Sequence, residues 1–190
     1  MAAAEANTLP PVDSWDPPYC GDIGMEIRAD GTWYYQNSPI GRQRLVKLFS
    51  RILRRDPDGR HFLVTPAEKV DVAVADAPFI AVEMDVDGTG EQQTLTFRTN
   101  VDDVVKCGPE TPLTFAKDPT SAALKPYVRV RGRLDALVAR AVYYDLVELA
   151  VPRGAKSNGS DASDANVAMT DGPGEDLGLW SGGTWFPISE

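Results

Sequence analysis

The stretch at residues 23–35, Ile23-Gly24-Met25-Glu26-Ile27-Arg28-Ala29-Asp30-Gly31-Thr32-Trp33-Tyr34-Tyr35, decides the fold class. Ile23, Met25 and Ile27 alternate with Gly24, Glu26 and Arg28, the two-residue period of a strand with one buried face. Ala29-Asp30-Gly31 supplies a turn and Thr32-Trp33-Tyr34-Tyr35 a β-prone return, so a hairpin is expected. Just downstream, Asn37-Ser38-Pro39-Ile40-Gly41 reads as a helix start. Ser38 would cap it, and Pro39 would take the first helical position, where a missing N–H costs nothing. Leu45, Leu48, Phe49, Ile52 and Leu53 then recur at three- and four-residue steps while Arg42, Arg44, Lys47, Arg51 and Arg54 fall elsewhere, and Asp56-Pro57-Asp58-Gly59 ends the helix. The unit is strand, strand, helix.

Four strand candidates follow at 61–65, 70–74, 79–86 and 92–99, the last two joined through Asp87-Gly88-Thr89-Gly90. An antiparallel sheet is the economical arrangement for them. A short strand at 111–117 precedes a loop carrying Pro119 and Pro126. From Tyr127 the early pattern returns: a strand at 127–131, Gly132, a semi-apolar stretch at 134–140, then a helical pattern containing Asp145-Leu146-Val147-Glu148-Leu149. That pentad repeats the polar-Leu-Val-charged-Leu order of Arg44-Leu45-Val46-Lys47-Leu48, 101 positions later. Residues 134–150 also suit one continuous helix on propensity alone. The repeat is preferred, because a helix starting at Tyr143 keeps Tyr143, Leu146, Val147 and Ala150 on one face, whereas a stripe from Leu134 would reach Asp145 and Glu148.

The chain therefore reads as α+β, mostly antiparallel, with two diverged strand-strand-helix repeats that could form two small subdomains. A flexible arm is expected at 1–18, a first repeat half at 19–78, a second at 79–151, a polar linker at 152–176, and an aromatic segment at 177–190. The linker's Gly, Ser, Asp, Asn and Ala cannot bury enough to offset ordering entropy, so disorder is expected there. Trp180, Trp185 and Phe186 carry enough apolar surface to dock on the body.

Composition narrows the function classes. The 190 residues are 43% hydrophobic and 25% charged, an ordinary globular balance, and 19 Lys plus Arg against 28 Asp plus Glu give a formal charge of -9. Such a surface repels phosphate backbones and anionic lipid, so neither nucleic acid nor membrane is an expected partner. The basic stretch at 42–55 reads first as a solvated helix face. Cys20 and Cys107 stand far apart with one histidine, His61, so neither a zinc site nor another cofactor is expected. Residues 1–11 lack a basic region followed by an apolar run, and no stretch approaches the ~18 apolar residues of a membrane span. Cytoplasm is the expected location, and the sequence sets no oligomeric state.

The motifs Gly21-Asp22-Ile23, Ala29-Asp30-Gly31-Thr32-Trp33-Tyr34-Tyr35, Ser38-Pro39-Ile40-Gly41-Arg42, Leu48-Phe49, Leu63-Val64-Thr65-Pro66-Ala67-Glu68-Lys69 and Ala77-Pro78-Phe79 together resemble the bacterial domain-of-unknown-function family 1285. The resemblance covers residues 13–151 and the closing Trp180-Ser181-Gly182-Gly183 and Trp185-Phe186-Pro187, with 153–176 departing from the pattern. It implies an α+β fold with repeated structural motifs. For activity it implies only a connection with ligand binding and signal transduction.

Candidate sites are few. A helix start at Ser38 with Arg42 beside it would present free N–H donors, partial positive charge and a guanidinium to an anion. Glu68 and Lys69 place a carboxylate beside an amine, though neighbours on an extended segment point apart. Ser38, Arg42, Glu68 and Lys69 thus form the expected ligand site, a cleft near the start of the first helix between the repeat halves, holding a small anionic molecule. A second reading is an enzyme using Asp22, Glu68 and Arg42 for acid–base chemistry, and a third is an adaptor whose aromatic tail inserts into a partner. Residues 85–91 lack the full ligand spacing of a calcium loop and read as a hairpin turn. Ser181 lacks the surroundings of a nucleophile elbow, and no glycine-rich phosphate fingerprint is present.

Overall fold

The structure, a computed structural model, describes residues 9–153 and 177–189. The expectations for 1–8 of the arm and for 154–176 of the linker lie outside the described residues. Among the described residues the fold is α+β, with two α-helices and mostly antiparallel sheets.

The chain separates into two compact units, the first comprising residues up to Ile80 with Asn100–Asp102 and Val130–Asp135. It opens with a single 3-10 turn at Val12–Ser14, followed by β1 (Tyr19–Ile27), β2 (Trp33–Tyr35), β3 (Ser38–Pro39), α1 (Gln43–Arg51), β4 (Leu53–Arg55), β5 (His61–Val64) and β6 (Lys69–Val74). These strands form one sheet in the order β3-β2-β1-β6-β5-β4. Met25, Ile27, Val70 and Val72 are buried at alternate positions, as a strand with one core face requires. Trp33, 1% exposed, stacks on Phe49 of α1 with centroids 6.2 Å apart.

Three local expectations are corrected in this unit. Ser38 and Pro39 do not open a helix. Gln36 and Asn37 take positive φ (48° and 64°), forming a tight two-residue turn that folds Ser38 and Pro39 back onto Tyr35 and Tyr34 as an edge strand. Pro39 is tolerated there because an edge strand leaves some N–H positions unpaired. Helix α1 begins at Gln43 with Arg42 as its N-cap residue, and no side chain caps it. It also ends at Arg51, so Leu53 is buried by pairing in β4 rather than by a last helical turn. Leu48 is 57% exposed, because the inward face of α1 is centred on Val46 and Ser50. The sheets are mostly antiparallel as expected, with β1 running parallel to β6 in this one.

The second unit comprises Ala81–Thr99, Asp103–Arg129 and the residues from Ala136 onward. Further along the chain come β7 (Phe79–Asp87), β8 (Thr94–Thr99), β9 (Val104–Lys106), β10 (Leu113–Lys117), β11 (Leu124–Arg131), β12 (Leu134–Val138), α2 (Arg140–Glu148), β13 (Val151–Pro152), β14 (Leu177–Ser181) and β15 (Thr184–Pro187). Strands β7 to β12 form a six-stranded sheet in the order β10-β11-β12-β7-β8-β9, and β13-β14-β15 form a third. The stretch after Gly132 is a strand and then a separate nine-residue helix, not one continuous helix.

The β14–β15 hairpin is tied down within this unit. Buried Ser181 accepts a hydrogen bond from the Leu95 N–H (2.9 Å) and donates to the Cys107 carbonyl (2.8 Å). Gln93 Nε2 donates to the Trp180 carbonyl, and the Gly182 N–H to the Gln93 carbonyl. Trp180 and Trp185 meet edge-on, centroids 5.2 Å apart, and a Cβ at Gly178 would lie 2.5 Å from the Trp185 ring.

Candidate functional site

Arginines gather where β4, the segment before β1 and the β11–β12 turn meet in the first unit. Strand β4 contributes Leu53, Arg54 and Arg55, and α1 ends just before it with Arg51. Gly132, at φ +52°, makes the turn between β11 and β12, setting Arg131 and Arg133 on either side of it. With Leu9, Pro10, Val12, Asp13 and Leu134 these residues line a cavity of about 220 Å³. It is smaller than a drug-sized site, so it suits a small molecule.

The five guanidiniums differ in what they already hold. Arg54 is consumed by the fold: Nε donates to Asp56 Oδ1 at 2.6 Å, and Nη1 donates to the Val12 and Trp15 carbonyls at 2.8 Å each. Arg131 donates to the Ser50 carbonyl at 2.6 Å and lies 5.1 Å from the Phe79 ring centroid. Arg55 is held more loosely, 3.8 Å from Asp135 and 3.3 Å from the Gly59 carbonyl. Arg133 is exposed on the turn and has no partner among the described residues. Asp13 is the one carboxylate that lines the cavity beside these five guanidiniums, with Asp56 held by Arg54 and Lys69 and Asp135 near Arg55, so the lining is net positive in a chain of formal charge -9. A concave surface of that sign concentrates anions, and guanidinium forks match carboxylate and phosphate oxygens.

A second concavity, about 530 Å³, has the opposite character. It is lined by Asp22, Glu26, Asp71, Gln36, Asn37, Arg60 and His61 among others. Its charged groups are mostly turned on one another. Asp71 accepts from Tyr19 Oη and from Arg60 Nη2, and the hydrogen bonds Arg60 donates to Tyr19 and Asp71 raise its pKa above the ordinary value. Asp22 accepts from the Gly24 N–H at 2.7 Å, fixing an irregularity in β1, and Glu26 lies 3.5 Å from Arg28. Burial first, and the Arg55 cation second, push His61 down to about 4, so its imidazole is neutral near pH 7.

The residues expected from sequence to form one site are not brought together by either concavity. Ser38 lies exposed on β3, and Arg42 lies exposed at the start of α1. Glu68 closes a turn in which its N–H is bonded to Thr65 Oγ1 and its carbonyl accepts the Thr65 N–H. Lys69 is a structural cation, pairing with Asp56 at 3.2 Å and sitting 4.6 Å from the Phe62 ring centroid. None of the four lines the arginine cavity or the acidic groove, and of the proposed acid–base set only Asp22 lines either.

The sequence reading missed Arg51, Arg54, Arg55, Arg131 and Arg133 as a group. One signal for them existed: Arg129, Arg131 and Arg133 recur at every second position up to and past a glycine, opposite-sign to most of the chain. Among the described residues no group of three or more His, Cys, Asp or Glu side chains is placed to hold a metal ion. No described helix is long and apolar enough to cross a membrane.

Residues 10–77 match the Domain of unknown function (DUF1285), N-terminal domain, and residues 78–188 match the Protein of unknown function (DUF1285), C-terminal domain. The chain belongs to the DUF1285 family. A solved DUF1285 family protein from Silicibacter pomeroyi DSS-3 is similar at 42% identity and a TM-score of 0.80, covering 97% of this chain and 90% of its own. Another, from Shewanella baltica OS155, is similar at 26% identity and a TM-score of 0.52, covering 66% of this chain and 91% of its own. No curated protein matches.

Proposed function

We propose that this protein is a non-enzymatic binding module with a regulatory role, and that its ligand is a small anion held in the arginine cavity. The convergence of Arg51, Arg54, Arg55, Arg131 and Arg133 on one 220 Å³ space carries the proposal. Guanidinium stays protonated throughout the working pH range, so such a lining binds charge but does not shuttle protons. Asp13 is the one carboxylate among the cavity-lining residues, which argues for binding over acid–base chemistry. The ligand-binding and signalling association implied by the family resemblance points the same way. The strand-strand-helix stretches ending in α1 and α2 are, in this reading, diverged copies of one unit. Both copies contribute to the cavity, the first through Arg51 and the second through Arg131 and Arg133 around the β11–β12 turn. Two unpaired cysteines and an acidic surface favour the cytoplasm as the place of action.

Inorganic pyrophosphate is a suitable probe. It should raise the thermal midpoint of the parent protein, with a dissociation constant weakened at least ~10-fold in Arg55→Ala and in Arg133→Ala, as loss of a hydrogen bond to a charged group costs about 1.5–3 kcal/mol. Both side chains are partly exposed, so neither change should unfold the protein. Equal pyrophosphate affinity in the parent and both variants would overturn the proposal.

A further inference from the structure

One wall of the arginine cavity is a short strap rather than a sheet or helix. Leu9, Pro10, Val12 and Asp13 line it, and the strap contains only a three-residue 3-10 turn at Val12–Ser14, closed by a Ser14 Oγ bond to the Pro11 carbonyl. It is fastened to the sheet at its carbonyls: Arg54 Nη1 holds Val12 and Trp15, and farther along the Lys69 N–H holds Pro18. No hydrophobic residue of the turn itself is buried. Among the described residues, the Arg54 guanidinium supplies the side-chain hydrogen bonds that fasten this turn to the sheet, and its grip is shared with Asp56.

Between the two Arg54 bonds the strap carries Asp13, whose Oδ2 lies 3.9 Å from the position a Cβ would take on Gly132, between Arg131 and Arg133. The carboxylate has no ion pair among the described residues, yet it lines a cavity with five guanidiniums. A negative side chain left solvated in that position already occupies part of the positive field an entering anion would use.

We propose that Asp13 is a built-in competitor for the anion site and that the strap around it is displaced when the ligand enters, so that the site selects small anions carrying two or more negative charges. This rests on the cavity being an anion site. An incoming monoanion merely replaces the Asp13 charge. A dianion or a more highly charged ligand gains over it, repels the carboxylate and loosens the strap, giving the protein a ligand-dependent change in residues 12–15. Such coupling is reciprocal, because whatever weakens the strap's hold on the cavity strengthens the anion's.

Pyrophosphate titration and amide hydrogen exchange on full-length parent and Asp13→Asn protein test this. Asp13→Asn should bind pyrophosphate about 5-fold more tightly or better, within the usual range of coupling between sites. Exchange at residues 12–15 should rise on pyrophosphate addition in the parent and not in Asp13→Asn. Asp13 is exposed and its substitution is nearly isosteric, so the variant should fold. If pyrophosphate binds both proteins with equal affinity and leaves exchange at 12–15 unchanged, the strap proposal is overturned while the anion site stands. If pyrophosphate binds neither protein, both fall.

Discussion

The Arg54 side chain is 12% exposed, and its guanidinium joins the N-terminal strap, Asp56 and, through Asp56, Lys69. Burial alone would raise the Asp56 pKa, but hydrogen bonds from Arg54 and Lys69 outweigh it and hold the carboxyl below its ordinary 3.8. Its contribution is therefore present above pH 3.8 and is lost as pH falls below that value. Asp56→Asn should cost about 1–3 kcal/mol at pH 7, measured by urea unfolding, because it leaves two cations without their carboxylate. His61 acts in a separate pH window. Its folded pKa of about 4 lies below the ordinary 6.5, so between those values the unfolded chain takes up a proton that the folded chain refuses. The stabilisation is complete above pH 6.5 and declines as pH drops toward 4. In His61→Gln, unfolding midpoints recorded across pH 4–6.5 should vary less steeply than in the parent. An unchanged slope would mean the imidazole titrates normally. Cys107, by contrast, is pushed up to about 11 by burial and should resist thiol reagents in the native state, while exposed Cys20 reacts.

At the scale of elements, two hairpins and one turn separate what sequence periodicity conveys from what it does not. The β1–β2 hairpin and the strand, glycine and helix around Gly132 were legible because period 2 and period 3.6 are local properties of the chain. The β2–β3 turn was not, because Gln36 and Asn37 adopt positive φ without a glycine to signal it. Ser38 and Pro39 then resemble a helix start equally well. Strand β4 was hidden for a related reason: Leu53 lies four residues after Phe49, so it continues a helical stripe that the backbone had already left. Ser38→Ala tests the corrected reading. On an edge strand it should change stability by less than about 0.5 kcal/mol, whereas loss of a true cap costs about 0.5–2 kcal/mol. The C-terminal hairpin makes the opposite prediction. Ser181→Ala strands the buried Leu95 N–H and should cost about 1–3 kcal/mol in urea unfolding. Gly178→Ala should also destabilise, since its Cβ would meet both the Trp185 ring and the Phe186 carbonyl at 2.5–2.6 Å.

For the whole molecule, sequence conveyed the α+β class and the family, since both follow from local patterns and motifs. The candidate site was not legible, because it depends on convergence of residues about 80 positions apart that no period links. A small-anion site was expected from the sequence, but at Ser38 and Arg42, and the rest of the basic stretch at 42–55 looked like a solvated helix face. Folding instead divides that stretch, leaving Arg42 and Arg44 exposed near the start of α1 and carrying Arg51, Arg54 and Arg55 to a cavity shared with Arg131 and Arg133. The most direct test is to follow the arginine Nε–Hε resonances by NMR while titrating pyrophosphate into the full-length protein. Saturable shifts are expected at Arg55 and Arg133, with smaller ones at Arg51 and Arg131 and none at Arg42 and Arg44. Shifts confined to Arg42 and Arg44, or no saturable shift at any arginine, would contradict an anion site in the arginine cavity.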